Sequence, residues 1–238
     1  MIKIAIIEDN MEMFRIIEKH IMDIAKDNKN VELVSYQNAE NFLDMHEKGE
    51  KFDILLCDIM LPGMNGIELG KRIKEEFKDT YLIYLTSHAQ FAVESYQLEA
   101  YQYIMKEHMH HRLPQVLRKL LEKIQIDQKK YRVIVNNNEK FVIYYKNIIC
   151  IIKEKGSKYV IYMTNDGEFR ERISLDELMK SFNSNEFIMI ERGRVINMRH
   201  ILKLSGNTIY LDNGVQMMIS RARMSQVKNI INTYWGMN

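Results

Sequence analysis

Short apolar segments alternate with amphipathic segments through the first half of this chain, and this alternation restricts the fold more than any other feature. The apolar segments are rich in β-branched and aromatic residues and are residues 3–7, 31–36, 53–57, 81–85 and 101–104. The segments that follow them carry apolar residues at helical spacing and are residues 11–27, 39–47, 66–77, 89–97 and 109–124. Strands that alternate with helices form a parallel sheet covered on both faces. The pattern therefore predicts a five-stranded, doubly wound α/β domain over residues 1–124.

The second half of the chain has a different pattern of predicted secondary structure. Residues 125–131 (QIDQKKY) are polar and are predicted to link the two halves. Short β-type segments follow, separated by turn sequences such as NNN, KGS, NDG and DNG, in which glycine and asparagine tolerate positive φ. Helices are predicted at 174–182, after a serine N-cap, and at 223–234. We therefore expect a mostly-β domain over residues 132–238.

Composition excludes several classes of protein. The chain is 46% hydrophobic and 28% charged, which is typical of a globular protein rather than a disordered one. No apolar run reaches the length of a membrane span, and the start, MIKIAIIEDN, meets acidic residues too early for a signal peptide. We therefore expect a cytoplasmic protein without a membrane segment. Cys57 and Cys150 lie in separate apolar segments and are predicted to be core thiols.

The charge is distributed unevenly along the chain. Residues 1–124 hold 16 Lys and Arg against 21 Asp and Glu, a net charge of −5. Residues 125–238 hold 18 against 11, a net charge of +7. An acidic first half and a basic second half favour two domains, with nucleic acid as a partner of the second.

Polar residues gather at the carboxyl ends of the predicted strands, where open parallel sheets bind their ligands. They are Glu8 and Asp9 after the first strand, Asp58 after the third, Thr86 at the end of the fourth and Lys106 after the fifth. Crowded carboxylates repel one another, and a hard cation held by oxygens, above all Mg²⁺, relieves the repulsion. A phosphoryl group arriving on one carboxylate would need that cation, an ammonium group and a hydroxyl donor. These residue types therefore predict a Mg²⁺-dependent phosphoryl site.

This arrangement resembles the receiver domain of two-component response regulators. The acidic pair, the strand-three Asp with its Pro-Gly and Asn-Gly loop, the Thr-Ser pair and the strand-five Lys follow the family's order over residues 1–124. The resemblance implies that Asp58 accepts a phosphoryl group from a sensor histidine kinase. The implied Mg²⁺ ligands are Glu8, Asp9, Asp58 and the backbone carbonyl of Met60, with Asp9 as a direct ligand. Lys106 and Thr86 are the implied partners of the phosphoryl oxygens, and Thr86 and Tyr103 are the implied switch residues.

The second half resembles the LytTR output domain. The run FIMIERGRVINMRHI (187–201), together with IICIIKEKGSKYVIYMTNDG (148–167) and SRAR, carries this resemblance over roughly residues 132–236. It implies an elongated assembly of β-sheets whose loops enter DNA, where arginine bridges base edges and lysine neutralises phosphate. The implied DNA contacts are Lys158, Arg192, Arg194, Ser220, Arg221 and Arg223. Asn197 is instead predicted to bond backbone groups of the fold, with DNA contact second.

We therefore expect a response-regulator transcription factor, rather than an enzyme, that forms a homodimer on phosphorylation and binds promoter DNA. Two alternatives stay open. Glu107 follows Lys106 where the family usually has proline, which leaves room for a receiver that works without phosphorylation; a trans peptide bond is expected there. The β domain could also bind a protein instead of DNA. An enzymatic output is disfavoured, since the second half lacks a Cys/His pair, a Ser/His/Asp set and a metal cluster.

Overall fold

The computed structural model divides the chain into two compact units, Met1–Gln125 and Ile126–Asn238. It describes residues 1–26, 30–76, 80–136, 139–182 and 184–236. Parts of four predicted features lie outside these residues: the NNN turn, the ends of the two helices predicted at 11–27 and 66–77, and the last two residues of the β domain. In the described ranges, every helix is too short or too polar to cross a membrane.

The first unit is a parallel sheet with helices on both faces. Its strands are β1 (Ile2–Ile7), β2 (Val31–Tyr36), β3 (Ile54–Cys57), β4 (Tyr81–Thr86) and β5 (Gln102–Met105). Its helices are α1 (Met11–Ala25), α2 (Ala39–Glu47), α3 (Gly66–Glu76), α4 (Ala92–Gln97) and α5 (Met109–Lys129). The strand order is β2-β1-β3-β4-β5, and all neighbours are parallel. The predicted doubly wound fold is confirmed.

Two apolar layers hold this sheet between its helices. On one face, Ile17 and Ile21 of α1 and Leu117 of α5 pack against strand residues in a single buried cluster. On the other face, a second cluster includes Phe42 of α2 and Leu69 of α3. Strand β3, an unbroken apolar run, is buried along its whole length. Such burial stabilises the fold by about 25 cal/mol for each Å² of apolar surface removed from water.

Helix α5 is longer than its periodicity predicted. It continues through residues 125–129, which were assigned to a polar linker, and strand β6 begins at Tyr131. The segment contains neither glycine nor proline, so polarity alone does not end the helix. Asp127 is buried there, and its Oδ2 lies 2.7 Å from a guanidinium nitrogen of Arg199.

The second unit consists of antiparallel sheets and two helices. Its strands are β6 (Tyr131–Asn136), β7 (Glu139–Tyr144), β8 (Ile148–Ile152), β9 (Val160–Thr164), β10 (Gly167–Glu171), β11 (Phe187–Glu191), β12 (Arg194–Asn197), β13 (Ile201–Ser205), β14 (Thr208–Leu211) and β15 (Gln216–Met218). Its helices are α6 (Leu175–Ser181), which Ser174 caps, and α7 (Met224–Tyr234). The strands form sheets of order β10-β9-β8-β12-β11, β13-β14-β15 and β6-β7. The predicted mostly-β organisation is confirmed.

Two buried polar features of the first and second units match their predicted structural roles. Asn197 is fully buried, and its Nδ2 donates to the carbonyls of Tyr145 at 3.0 Å and Ile148 at 2.9 Å. Its Oδ1 accepts from the backbone N–H of Arg199 at 3.1 Å, so the side chain is satisfied within the fold. Cys57 and Cys150 are both buried and free, as core thiols should be.

Candidate functional site

Strand register brings the predicted acids and the lysine to one edge of the parallel sheet. Ile7 of β1 pairs with Cys57 of β3, so the residues that follow them, Glu8 and Asp58, lie at the same level on adjacent strands. On the other side of β3, Thr86 pairs with Met105, the residue before Lys106. The carboxyl ends of β1, β3, β4 and β5 therefore meet at one site.

Asp58 is the central group of this site. The residue is 7% exposed, yet both carboxylate oxygens have donors. Oδ1 accepts from the backbone N–H of Ile59 at 2.6 Å and of Met60 at 3.3 Å, and Oδ2 accepts from Lys106 Nζ at 2.6 Å. A buried carboxylate is costly unless such donors compensate its charge. The loop after β3 therefore holds the Asp58 carboxylate in a nearly buried position with both oxygens hydrogen-bonded.

Lys106 bridges Asp58 and Glu8. Its Nζ donates a hydrogen bond to Glu8 Oε1 at 3.0 Å. It also lies 2.8 Å from Glu8 Oε2, as an ion pair without hydrogen-bond geometry. Burial lowers the pKa of Lys106, but the hydrogen bonds to Asp58 and Glu8 outweigh it and leave that pKa above its ordinary value. Burial raises the pKa of Glu8, and Lys106 opposes that rise. The ammonium is therefore firmly charged, while Glu8 carries one buried oxygen, Oε2, without a hydrogen-bond partner.

The three acids have oxygens close enough to share a cation. One carboxylate oxygen from each of Glu8, Asp9 and Asp58 lies within 4.8 Å of the others. Asp9 is exposed, whereas Glu8 and Asp58 are buried. Opposite ligands of an octahedral Mg²⁺ are about 4.2 Å apart, so small side-chain shifts suffice. All of these donors are oxygens, and the buried Glu8 Oε2 accepts no hydrogen bond, so these residues fit Mg²⁺.

Thr86 and Tyr103 flank the site on β4 and β5. Thr86 is completely buried, and its Oγ1 accepts from the backbone N–H of His88 at 3.4 Å. The half-buried Tyr103 donates its hydroxyl hydrogen to the carbonyl of His88. Burial, followed by the negative charge of Asp58, raises the pKa of Tyr103. The turn at His88 therefore connects both predicted switch residues.

Gly66 supports the site, a role that sequence analysis missed. Its N–H donates to the carbonyl of Ile59 at 2.8 Å. A Cβ on Gly66 would lie 2.2 Å from the carbonyl oxygen of Asp58 and 2.8 Å from the Cα of Ile59. Any side chain would therefore push α3 away from the Asp58 loop. The Asn-Gly pair signalled this: Asn65 caps α3 by accepting from the N–H of Glu68 at 2.9 Å, and the glycine permits the close approach.

In the second unit, three segments with predicted DNA-contacting residues meet through backbone hydrogen bonds. The N–H of Lys153, at the start of the loop that contains Lys158, donates to the carbonyl of Gly193 at 2.7 Å. The N–H of Ser220 donates to the carbonyl of Ile190 at 3.1 Å. The turn after β11 therefore contacts the loop after β8, and the end of β11 contacts the segment after β15.

The basic side chains on these segments differ in exposure and pairing. Lys158, Arg192, Arg194 and Arg221 are exposed, while Ser220 and Arg223 are half-buried. Arg194 Nε lies 3.3 Å from Glu191 Oε2 across the turn. Glu191, whose negative charge would repel DNA phosphate, thus pairs with an arginine. Arg192, by contrast, lies at the tip of the turn.

Two family models match the chain in succession. The model described as the response regulator receiver domain matches residues 4–118, and that of the LytTr DNA-binding domain matches residues 138–232. These matches cover the parallel sheet with its acidic site and most of the antiparallel sheets with their basic loops. A DNA-binding output is therefore favoured over the protein-binding alternative.

Known proteins with similar sequences are regulators of transcription. The transcriptional regulatory protein LytR of Staphylococcus aureus (strain bovine RF122 / ET3-1) is 29% identical over 197 residues, 75% of this chain and 79% of the relative. The transcriptional regulatory protein NatR of Bacillus subtilis (strain 168) is 24% identical over 208 residues, 87% of each chain. The solved response regulatory domain of protein mrkE from Klebsiella pneumoniae is 25% identical, with a TM-score of 0.48, and the match covers 52% of this chain and 99% of that one. This chain belongs to the LytTR response regulators, transcription factors in which a receiver domain precedes a LytTR DNA-binding domain.

Proposed function

We propose that Asp58 is the phosphoacceptor of this regulator and that a sensor histidine kinase is its phosphodonor. The observation that carries the proposal is the contact of Lys106 Nζ with both Asp58 and Glu8, at 2.6 Å and 2.8 Å, beside two backbone N–H groups on Asp58. These donors orient the Asp58 carboxylate, as a nucleophile must be oriented. They also supply positive charge where phosphoryl oxygens arrive.

In the transfer step, an Asp58 carboxylate oxygen forms a bond to phosphorus while the bond from phosphorus to the kinase histidine nitrogen breaks. The leaving nitrogen keeps the electron pair, and Asp58 becomes an acyl phosphate. Lys106 pairs with a phosphoryl oxygen, and the Thr86 hydroxyl donates to another. Because Thr86 and Tyr103 both bond at His88, movement of Thr86 toward the phosphoryl group changes the contact that positions Tyr103.

We assign the Mg²⁺ ligands to Glu8, Asp9, Asp58 and the carbonyl of Met60. When bound, Mg²⁺ neutralises charge on the phosphoryl oxygens and relieves repulsion among the acids. The burial of Glu8 beside Lys106 makes Asp9 the acid most accessible to a hydrated ion.

The metal assignment predicts that Asp9→Asn weakens Mg²⁺ binding about tenfold or more, because one of three carboxylates is lost. Isothermal titration calorimetry of the full chain with MgCl₂ measures this effect without any phosphoryl transfer. Glu12→Gln is a matched control, since Glu12 lies in the first turn of α1 and outside the acidic group. Equal Mg²⁺ affinities for wild type and Asp9→Asn would remove Asp9 from the ligand set.

For the output domain, we propose that the loops after β8, β11 and β15 contact promoter DNA. The contacting residues are Lys158, Arg192, Arg194, Ser220, Arg221 and Arg223. Their segments are joined by the Lys153–Gly193 and Ser220–Ile190 backbone bonds, which supports a shared contact surface. Phosphorylation promotes a homodimer whose two output domains bind paired sites, because joining two modules raises the effective concentration at the second site.

The experiment that tests this function is a footprint of the purified chain on its own promoter region, with and without the small phosphodonor acetyl phosphate plus MgCl₂. We expect protection of two neighbouring sites, at protein concentrations about tenfold lower with the phosphodonor, corresponding to a coupling of about 1.4 kcal/mol. Protection that is identical in both conditions favours the phosphorylation-independent receiver. A lack of protection in both contradicts the DNA-binding assignment.

A further inference from the structure

The hairpin of strands β6 and β7 has apolar residues on both of its faces. An antiparallel sheet with one face in water normally alternates apolar and polar residues. Here the inward residues include Ile134 and Ile143, which are 1% and 4% exposed. The outward residues are also apolar, although water reaches them. They are Tyr131, Val133, Val135, Val142 and Tyr144, which are 37–62% exposed.

The inward face is anchored, so the hairpin cannot turn over to bury the outer one. Arg132 Nε and a terminal nitrogen donate to the two carboxylate oxygens of Glu171 at 2.6 Å and 2.7 Å. Tyr162 donates to the same carboxylate at 2.5 Å. This bidentate, partly buried network fixes the hairpin to strands β9 and β10 and thereby fixes which residues point outward.

The outer face is continuous and ordered by strand register. Tyr131 pairs with Tyr144, Val133 with Val142, and Val135 with Lys140. The two tyrosine rings pack edge to face with centroids 6.2 Å apart. The face is therefore apolar at its base and centre, with a single cation near its tip. Strand propensity does not explain this pattern, because threonine is equally suited to exposed strand positions.

We propose that this outer face binds the same face of a second copy of the chain. A two-fold axis between the faces and perpendicular to the strands places Val133 opposite the partner's Val133, and Val142 opposite the partner's Val142. It also places Lys140 opposite the partner's Tyr144, where an ammonium gains from the aromatic ring. The two tips then point in opposite directions, so the two Lys140 side chains stay apart. The face is thus complementary to itself in both shape and charge.

The size of the face determines how strong this contact is. The exposed fractions correspond to roughly 400 Å² of surface, within the range of the largest apolar patches on monomers. Two such faces bury about 800 Å², less than the roughly 1,200 Å² of a stable dimer interface. The contact therefore forms at high local concentration, as when two chains are held together on DNA. That setting rests on the proposed function, whereas the contact itself needs no phosphate on Asp58.

Val142→Glu tests the contact, because it places two carboxylates opposite each other at the two-fold axis. Sedimentation velocity of the full chain between about 1 and 500 µM, without phosphodonor, measures self-association. We expect the dimer dissociation constant to rise at least tenfold in Val142→Glu. Leu202→Glu is the matched control, since Leu202 is 70% exposed on β13, and it should leave the constant unchanged. Equal phosphoryl uptake by both variants verifies that the receiver is intact.

Disulfide trapping provides a second, positive measurement. With Val133 replaced by cysteine, mild oxidation should give a covalent dimer, because this position faces its own copy. The same substitution combined with Asp58→Asn should trap equally well, which separates this contact from the phosphorylation-dependent one. Native Cys57 and Cys150 are buried and do not interfere. The proposal is overturned if the chain stays monomeric over this concentration range. It is also overturned if Val142→Glu leaves self-association unchanged and Val133→Cys gives no covalent dimer. Either result is the one expected if the face binds a different protein.

Discussion

Replacing Asp58 with asparagine is expected to abolish uptake of an acid-labile phosphoryl group by this chain. Asparagine preserves the size of the side chain but replaces the nucleophilic oxygen with an amide and removes the charge that Lys106 pairs with at 2.6 Å. Incubation with acetyl phosphate and MgCl₂, followed by intact-protein mass spectrometry, should show the phosphorylated mass for wild type alone. The phosphate-dependent gain in self-association, about 1–3 kcal/mol for a coupling of this kind, should vanish with it.

Asp44→Asn is the matched control for this prediction. Asp44 is an exposed acid on α2 and undergoes the same chemical change away from the sheet edge. This variant should be phosphorylated and should associate as wild type does. Persistent phosphoryl uptake by Asp58→Asn would show that another residue is the acceptor. Normal uptake by wild type without any gain in association would retain the acceptor and reject the dimer switch.

Replacing Arg192 with alanine is expected to cost about 1–3 kcal/mol of DNA-binding free energy, a loss of about 5- to 150-fold in affinity. Arg192 is exposed at the tip of the turn between β11 and β12, beside the other two DNA-proposed segments. Fluorescence anisotropy on the footprinted promoter fragment, at several salt concentrations, measures affinity and its salt dependence. If Arg192 contacts phosphate, the log–log salt slope falls by about one unit; if it reads a base, discrimination between promoter and unrelated DNA falls instead.

Arg194 and Arg72 provide two graded comparisons. Arg194 is paired with Glu191 at 3.3 Å, so Arg194→Ala removes a cation that is already partly compensated and should weaken binding less than Arg192→Ala. Arg72 is an exposed arginine on α3 of the first unit, and Arg72→Ala should leave the affinity unchanged. Equal losses for Arg192→Ala and Arg72→Ala would reduce the effect to net charge and contradict the assigned surface.

Much of the receiver site was predictable because the strands of a parallel sheet all end at the same edge. An acid, a threonine or a lysine that follows a strand must lie at the carboxyl edge, so Glu8, Asp58 and Lys106 were expected together before any coordinates. The side-chain contacts within the site were not predictable. The direct contact of Lys106 with both acids depends on side-chain directions at the strand ends, and Gly66 is needed because of how closely α3 approaches the Asp58 loop.

In the second unit, less of the candidate site could be predicted from the sequence. Turn sequences such as NDG and DNG mark hairpins, because they report local backbone preferences that short peptides share. Which loops meet is a long-range property, and the bonds from Lys153 to Gly193 and from Ser220 to Ile190 join residues that no local pattern connects. The pairing of Glu191 with Arg194 likewise depends on the turn that brings them face to face.

By itself, the sequence determined the order of strands and helices, the change from a parallel to an antiparallel architecture, and the strand ends that carry the acids, the threonine and the lysine. These properties follow from the hydrophobic periods of strands and helices and from local turn chemistry. Only the tertiary structure decided that Glu8 keeps a buried oxygen that accepts no hydrogen bond and that the face containing Val133 and Val142 points to solvent. Both depend on which side chains from distant parts of the sequence occupy the neighbouring space. Contacts between residues far apart in sequence produce no periodic sequence pattern.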